Sequence, residues 1–275
     1  MTRQATNDKR QRSFRVQAVV MHRKDWGEAD RLVRLFSREQ GKLQAIAKGV
    51  RKLHSRKAGH LEPFTRVSLQ LARARDIPII TQAEALDLYM PLREDLLLTT
   101  YTSYVIEILD RFTYEEGENR FIYNLLVDTL DRLGKLYEPE LVVRYYEMRL
   151  LDYVGFRPQL FDCVECGEQI QPTDQYFSAA QGGVLCPRCG LNLKGARPIS
   201  LNALKYLRHY QRSNFNEASR AVISTDVKSE MENLMQHYLT YILEHNLNTP
   251  TFLRRMRKTL QGEPDELGVG DDGLF

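Results

Sequence analysis

The sequence lacks long apolar runs. Its longest, at residues 18–21, has four members, against roughly 18 needed to span a bilayer. The first dozen residues, MTRQATNDKRQR, are polar and basic and hold no apolar core of the kind a secretory signal requires. Membrane and secreted classes are therefore not expected, nor are collagenous or wholly disordered ones. Enzyme signatures are missing too. There is no G-x4-G-K-S/T to cradle a triphosphate, no G-x-S-x-G and no H-E-x-x-H. The six histidines, His22, His54, His60, His209, His237 and His245, form no ligand-spaced pair beside a carboxylate. Cysteine is scarce, with four in 275 residues, and a reducing compartment makes structural disulfides rare.

What is present is an ordinary globular balance, 43% apolar and 27% charged, in a chain long enough for about two domains. The net charge of +3 hides a split. Residues 1–80 carry 19 Lys/Arg and 7 Asp/Glu, a local +12, whereas residues 81–275 carry 20 and 29, a local −9. Such asymmetry points to one half that meets a polyanion; the alternative is a salt-laced surface without a partner.

Along the chain, residues 1–12 read as a flexible basic arm. Residues 13–87 read as β. Phe14, Val16, Ala18 and Val20 alternate, Leu43, Ala45 and Ala47 share a face, and Val67, Leu69 and Leu71 oppose Arg66, Ser68 and Gln70. Five short strands in about 75 residues predict a small closed barrel such as an OB-fold; a five-stranded sandwich or SH3-like barrel fits the pattern nearly as well. After Pro91 the period becomes helical. Tyr101, Tyr104, Val105, Ile108, Leu109 and Phe112 form one stripe, Ile122, Leu125, Leu126, Leu130 and Leu133 a second, and residues 139–154 a third helix. Ser200 is placed to cap a helix over 201–212, and a last helix is predicted over about 226–246. The fold class is thus α+β and multidomain: a barrel (13–87), then an all-α domain in two parts (88–160 and 196–261) with a cysteine segment (161–195) inserted. The acidic, Gly-rich stretch 262–275 reads as disordered.

The four cysteines stand as Cys163-Val-Glu-Cys166-Gly167 and Cys186-Pro-Arg-Cys189-Gly190, two C-x2-C pairs with nineteen residues between them. Four thiolates fill a tetrahedral zinc ion's coordination and leave no open position, so one structural Zn²⁺ is expected. Redox pairs or an iron–sulfur cluster are the alternatives. The glycine after each second cysteine is expected to take positive φ and turn the backbone beneath the metal.

The densest basic run is Lys48, Arg51, Lys52, Arg56 and Lys57, expected on a mobile exposed loop where Lys and Arg suit phosphate contacts, or else merely a solvated loop. Arg34, Arg38 and Lys42 add charge nearby. Phe14, Trp26, Phe36 and Phe64 are open to two roles, stacking on bases or filling the barrel.

The stretch Trp26-Gly-Glu28-Ala-Asp30-Arg-Leu-Val-Arg-Leu-Phe36-Ser-Arg-Glu-Gln-Gly41-Lys42 resembles the N-terminal signature of the RecO family of bacterial recombination mediators. So do Ala47-Lys48-Gly49-Val-Arg51-Lys52-Leu-His-Ser55-Arg56 and Leu61-Glu-Pro63-Phe64. The order of barrel, helices, inserted ribbon and further helices is similar to that family over nearly the whole chain. The resemblance implies an OB-fold that binds single- and double-stranded DNA, and a non-enzymatic protein that anneals complementary strands. It implies that, with RecR, the protein helps load RecA onto DNA coated by single-strand-binding protein, whose C-terminal tail it contacts. It also implies a cytoplasmic, nucleoid-associated bacterial protein. DNA contact carries onto Lys42, Lys48, Arg51, Lys52 and Arg56 in the matched motifs. A receptor for an acidic, apolar-ended tail needs an apolar slot rimmed by Lys or Arg. The candidates are Arg254, Arg255, Arg257 and Lys258 around Leu253 and Met256, or Lys205 and Arg208 around Leu204 and Leu207. The competing readings are a zinc-ribbon nuclease, with Glu28 and Asp30 the nearest carboxylate pair, a thiol oxidoreductase, and a transcription or translation accessory factor.

Overall fold

The computed structural model describes residues 12–114, 117, 119–135, 137–244, 247, 249, 250, 253 and 256. The expected basic arm, apart from Arg12, the acidic stretch 262–275, and the cluster Arg254, Arg255, Arg257 and Lys258 lie outside the described residues.

Five strands open the chain: β1 (Ser13–Trp26), β2 (Asp30–Ser37), β3 (Gly41–Ala47), β4 (Arg66–Ala72) and β5 (Ile79–Asp87). They close into a barrel of order β1-β2-β3-β5-β4, with β4 returning to β1. All neighbours run antiparallel except β3 and β5, which meet in parallel at Ile46 and Ile79. This is the five-stranded OB-fold order, and it decides against the sandwich. A single strand reaches both partners because β1 is long and its register with β2 shifts between Val20 and His22, a bulge that bends the strand.

The short apolar run at residues 18–21 has a physical reason. Val16, Ala18 and Val20 point into the barrel with Val33, Leu35, Ala45, Leu69 and Ile80. Val19 and Met21 point the other way, into a second core shared with the helices. A strand buried on both faces loses its alternation. Phe36 and Phe64 join this outer core as well, and Phe64 does so at φ +69, a left-handed conformation that a bulky residue rarely adopts.

Four helices follow: α1 (Pro91–Glu94), α2 (Leu96–Phe112), α3 (Arg120–Leu133) and α4 (Pro139–Tyr153). Asp95 and Asn119 cap α2 and α3, accepting from the Leu98 and Ile122 amides at 2.8 and 3.3 Å. Strands β6 (Gln175–Ser178) and β7 (Gly183–Leu185), the short α5 (Pro187–Gly190) and β8 (Arg197–Ile199) build the cysteine ribbon around a three-stranded sheet. Helices α6 (Leu201–Arg212), α7 (Phe215–Ala218) and α8 (Thr225–Leu243) complete the array. Ser200 caps α6 as its sequence predicts, accepting from the Ala203 amide at 3.1 Å. The ribbon does not stand apart: Cys163, Ile170, Phe177 and Val184 belong to the same core as the helices, and Phe177 meets Tyr238 of α8 edge-on at 5.3 Å.

Candidate nucleic-acid interface and metal site

The basic segment after β3 is a chain of turns built on two apolar plugs. Val50 and Leu61 are buried at 1% and 0% and close the barrel core from below. Alternating with these plugs, Lys48, Arg51, Lys52 and Arg56 stay exposed. The segment is pinned rather than loose. The Gly49 amide donates to Asp30 Oδ1 at 2.7 Å, and the Arg51 amide to the Ala29 carbonyl at 2.9 Å. Lys57 Nζ donates to the carbonyls of Lys48 and Ile80 at 3.1 and 3.0 Å. Gly49 sits at φ +65, which the first turn requires. The expected mobile loop is therefore a tied one.

Three of the eight expected contacts are already engaged within the protein. Lys42 is 9% exposed and donates to the Asp110 carbonyl at 2.6 Å and to Asp110 Oδ1 at 3.0 Å, at the joint between barrel and α2. Arg34 pairs with the other Asp110 oxygen at 3.2 Å, and its Nε is buried without a partner among the described residues. Lys57 spends its ammonium on the carbonyls above, and burial pushes that group down from its usual value while Asp30 acts in the opposite sense. The alternating pattern of Lys42 and Arg34 on their strands gave them a solvent face; the docking of α2 buries Lys42 and ties the half-exposed Arg34 to Asp110. Arg38 lies exposed just beyond the end of β2.

The aromatic question is resolved by burial. Phe36 and Phe64 are core, Phe14 packs against the barrel interior beneath Arg73, and Trp26 is 48% exposed. Trp26 ends β1 beside the pinned turns, since Arg51 reaches Asp25 at 3.3 Å and the Gly27 carbonyl at 3.4 Å. Asp25 also holds Arg31 at 3.2 Å, Arg31 approaches Glu62 at 3.7 Å, and Glu62 pairs with Arg23. This chain of alternating charges runs across β1, β2 and the turns, fixing Arg51 and the base of Trp26 without neutralising Lys48, Lys52 or Arg56, which make no ion pair among the described residues. Exposed cations and one exposed indole on a rigid base can hold phosphates and stack one base.

The sulfurs of Cys163, Cys166, Cys186 and Cys189 all lie within 4.8 Å of one another. Those of Cys166 and Cys186 are 3.9 Å apart, too far for a disulfide. Four sulfurs about 2.3 Å from a central tetrahedral ion sit about 3.8 Å apart, so this donor set fits a metal. Burial raises the Cys163 thiol, but backbone hydrogen bonds at Cys166, Cys186 and Glu165 outweigh it and bring the group to about 6, favouring the thiolate a metal needs. The Cys186 amide donates to the Cys163 sulfur at 3.4 Å. Gly167 takes φ +74 as predicted, closing on the Cys163 carbonyl at 2.8 Å. Gly190 does not: it ends α5, and a Cβ there would overlap the Tyr176 ring.

A third feature was not legible in the sequence. A cleft of about 620 Å³ opens between α3, α4 and the α6–α7 junction. Arg132, Arg149 and Arg212 line it, with Phe121 and Tyr153 stacked at 5.9 Å on its wall. Arg132 lies 4.0 Å over Phe215 and Arg212 lies 3.7 Å over Phe161, while Arg149 is held by the Gln211 and Ser213 carbonyls. The one outward sign was Phe121, 71% exposed and off the buried stripe that begins at Ile122. The predicted receptor around Lys205 and Arg208 is overturned: Leu204 and Leu207 are 0% and 1% exposed, and Arg208 donates to the Leu160 carbonyl at 2.7 Å.

Comparison with known proteins agrees with this architecture. The family described as "Recombination protein O N terminal" matches residues 12–89, and "Recombination protein O C terminal" matches residues 93–250. A "DNA repair protein RecO" of Roseiflexus sp. (strain RS-1) is 39% identical over 267 residues, 97% of this chain and 94% of that protein. Proteins of the same name are 34% identical in Dehalococcoides mccartyi (strain ATCC BAA-2266 / KCTC 15142 / 195), over 84% of this chain and 91% of theirs, and 31% in Symbiobacterium thermophilum, over 89% and 98%. With both halves matched and relatives aligned over nearly their full length, the chain belongs to the RecO family of DNA repair proteins.

Proposed function

We propose that the protein is a non-enzymatic recombination mediator that binds single- and double-stranded DNA, anneals complementary strands, and with RecR helps load RecA onto DNA coated by single-strand-binding protein. The observation that carries this reading is the rigid basic platform on the barrel: Lys48, Arg51, Lys52 and Arg56 exposed together beside Trp26. Arg38 is a further exposed cation at the other end of β2, where Ser37 pairs with Gly41. Annealing needs no fuel, because pairing is downhill; the protein has only to neutralise phosphates on two strands and release the duplex. The work is done in the bacterial cytoplasm on the nucleoid, and no described helix is long and apolar enough to cross a membrane.

One Zn²⁺ held by Cys163, Cys166, Cys186 and Cys189 supplies folding energy and no chemistry, because four thiolates leave it no open site. The arginine-lined cleft receives the acidic, apolar-ended tail of single-strand-binding protein: Phe121 and Tyr153 offer the apolar wall and Arg132, Arg149 and Arg212 the charge. The nuclease alternative loses support because Asp30 accepts from the Gly49 amide, and because the cysteines are the one cluster of three or more possible metal ligands among the described residues. The test is strand annealing with neither nucleotide nor divalent metal. Annealing faster than the uncatalysed reaction supports the reading; a strict requirement for ATP or Mg²⁺ contradicts it.

A further inference from the structure

We propose that the chain's own acidic segment, with Asp271, Asp272, Leu274 and Phe275, docks in the arginine-lined cleft and competes there with a partner's acidic tail. The inference rests on the reading of that cleft as an acidic-peptide receptor, and adds its regulation.

The cleft has positive charge and uncovered apolar surface in one place. Its three arginines are fixed by aromatic faces and carbonyls, so little side-chain freedom remains to be lost on binding. Its two carboxylates are already engaged: Asp128 with Arg132 at 3.6 Å, and Glu217 in a capping box with Asn214. Phe121 stands 71% exposed on Tyr153, which is itself 48% exposed.

The complement occurs in the same sequence. Residues 262–275 hold Glu263, Asp265, Glu266, Asp271 and Asp272, no Lys or Arg, and the apolar pair Leu274-Phe275 one glycine after the last two acids. Carboxylates spaced just ahead of an aromatic side chain match guanidinium groups around an aromatic wall. The chain is also long enough. Thr249 is tied to α2, its amide donating to Glu107 Oε2 at 2.8 Å. Farther along α2, Phe112 lines a groove with Tyr153, which borders the cleft. The fifteen residue-to-residue steps from Met256 to Asp271 span up to about 50 Å when extended. That is comparable to the diameter of a compact chain of this size, whose radius of gyration is about 19 Å.

The experiment measures binding of a labelled synthetic peptide copying residues 262–275 to the full chain, wild type and Asp271→Asn/Asp272→Asn/Phe275→Ala. A tethered segment acts at an effective concentration of about 1 mM. If the free peptide binds with a Kd of about 10–100 μM, the wild type should appear roughly 10- to 100-fold weaker than the tail variant. Adding Phe121→Glu, at an exposed position, to the tail variant should abolish binding. Equal, tight binding to both chains overturns self-capture while leaving the cleft a receptor. Binding to neither chain removes the receptor reading as well. Binding lost on replacing Lys48, Arg51, Lys52 and Arg56 but kept in Phe121→Glu would move the segment to the barrel. Tail-dependent dimers would assign it to a second copy. Each of these overturns the proposal.

Discussion

Replacing Lys42 by alanine separates a structural lysine from a DNA-binding one. Its ammonium donates to the Asp110 carbonyl at 2.6 Å and pairs with Asp110 Oδ1 at 3.0 Å, with the two side chains 9% and 19% exposed. Breaking a buried pair by removing one partner costs about 3–5 kcal/mol. Asp110 keeps Arg34 at 3.2 Å and some contact with water, so the cost here falls to about 2–3 kcal/mol. In a chain of this size that lowers Tm by about 5–10 °C. The DNA affinity should keep its salt dependence, because no phosphate contact is lost. Calorimetry or circular dichroism reads the first quantity, and DNA titration between 50 and 200 mM salt, a window of about fourfold, reads the second. A variant with unchanged Tm and a log–log slope flattened by about 0.7 would refute the reasoning and return Lys42 to the DNA surface.

Trp26→Ala should weaken single-stranded DNA binding by about 1–3 kcal/mol while leaving the salt slope unchanged, since stacking releases no counterions; equilibrium titration at several salt concentrations reads both. Elemental analysis should find one zinc per chain, and stripping it with a chelator, or Cys163→Ser, should lower thermal stability before it lowers DNA affinity. Protein purified under reducing conditions with no metal, or with two native disulfides, would contradict the four-thiolate site.

The barrel and the helices were legible because their burial is one-sided. Alternation marks strands with one wet face, and the stripes over Tyr101 and Ile122 mark helices with one dry face. Ser200 and the two C-x2-C pairs were legible because capping and metal ligation are local chemistry at fixed spacing. What depends on tertiary docking was not. Lys42 and Arg34 look solvent-facing until α2 brings Asp110 against them. Gly190 resembles Gly167 in sequence, yet one answers to the Tyr176 ring and the other to φ. The arginine cleft draws on four helices distant in sequence, so no window of the chain contains its pattern. Lys205 and Arg208 fit the requirement on paper only because sequence cannot tell that Leu204 and Leu207 face inward.

The central claim is that the pinned turns of the barrel hold DNA through phosphates. Its most direct test is the salt dependence of single-stranded DNA binding for the wild type and for Lys48→Ala/Arg51→Ala/Lys52→Ala/Arg56→Ala. All four side chains are exposed, whereas Val50, Leu61 and Lys57, which hold the segment, are untouched, so the fold should survive. Each phosphate contact contributes about −0.7 to the log–log slope, and losing up to four should flatten it by up to about 3, alike for unrelated sequences. Annealing should weaken in parallel. A folded quadruple variant that binds and anneals like the wild type at every salt concentration would place the DNA site elsewhere and contradict the account.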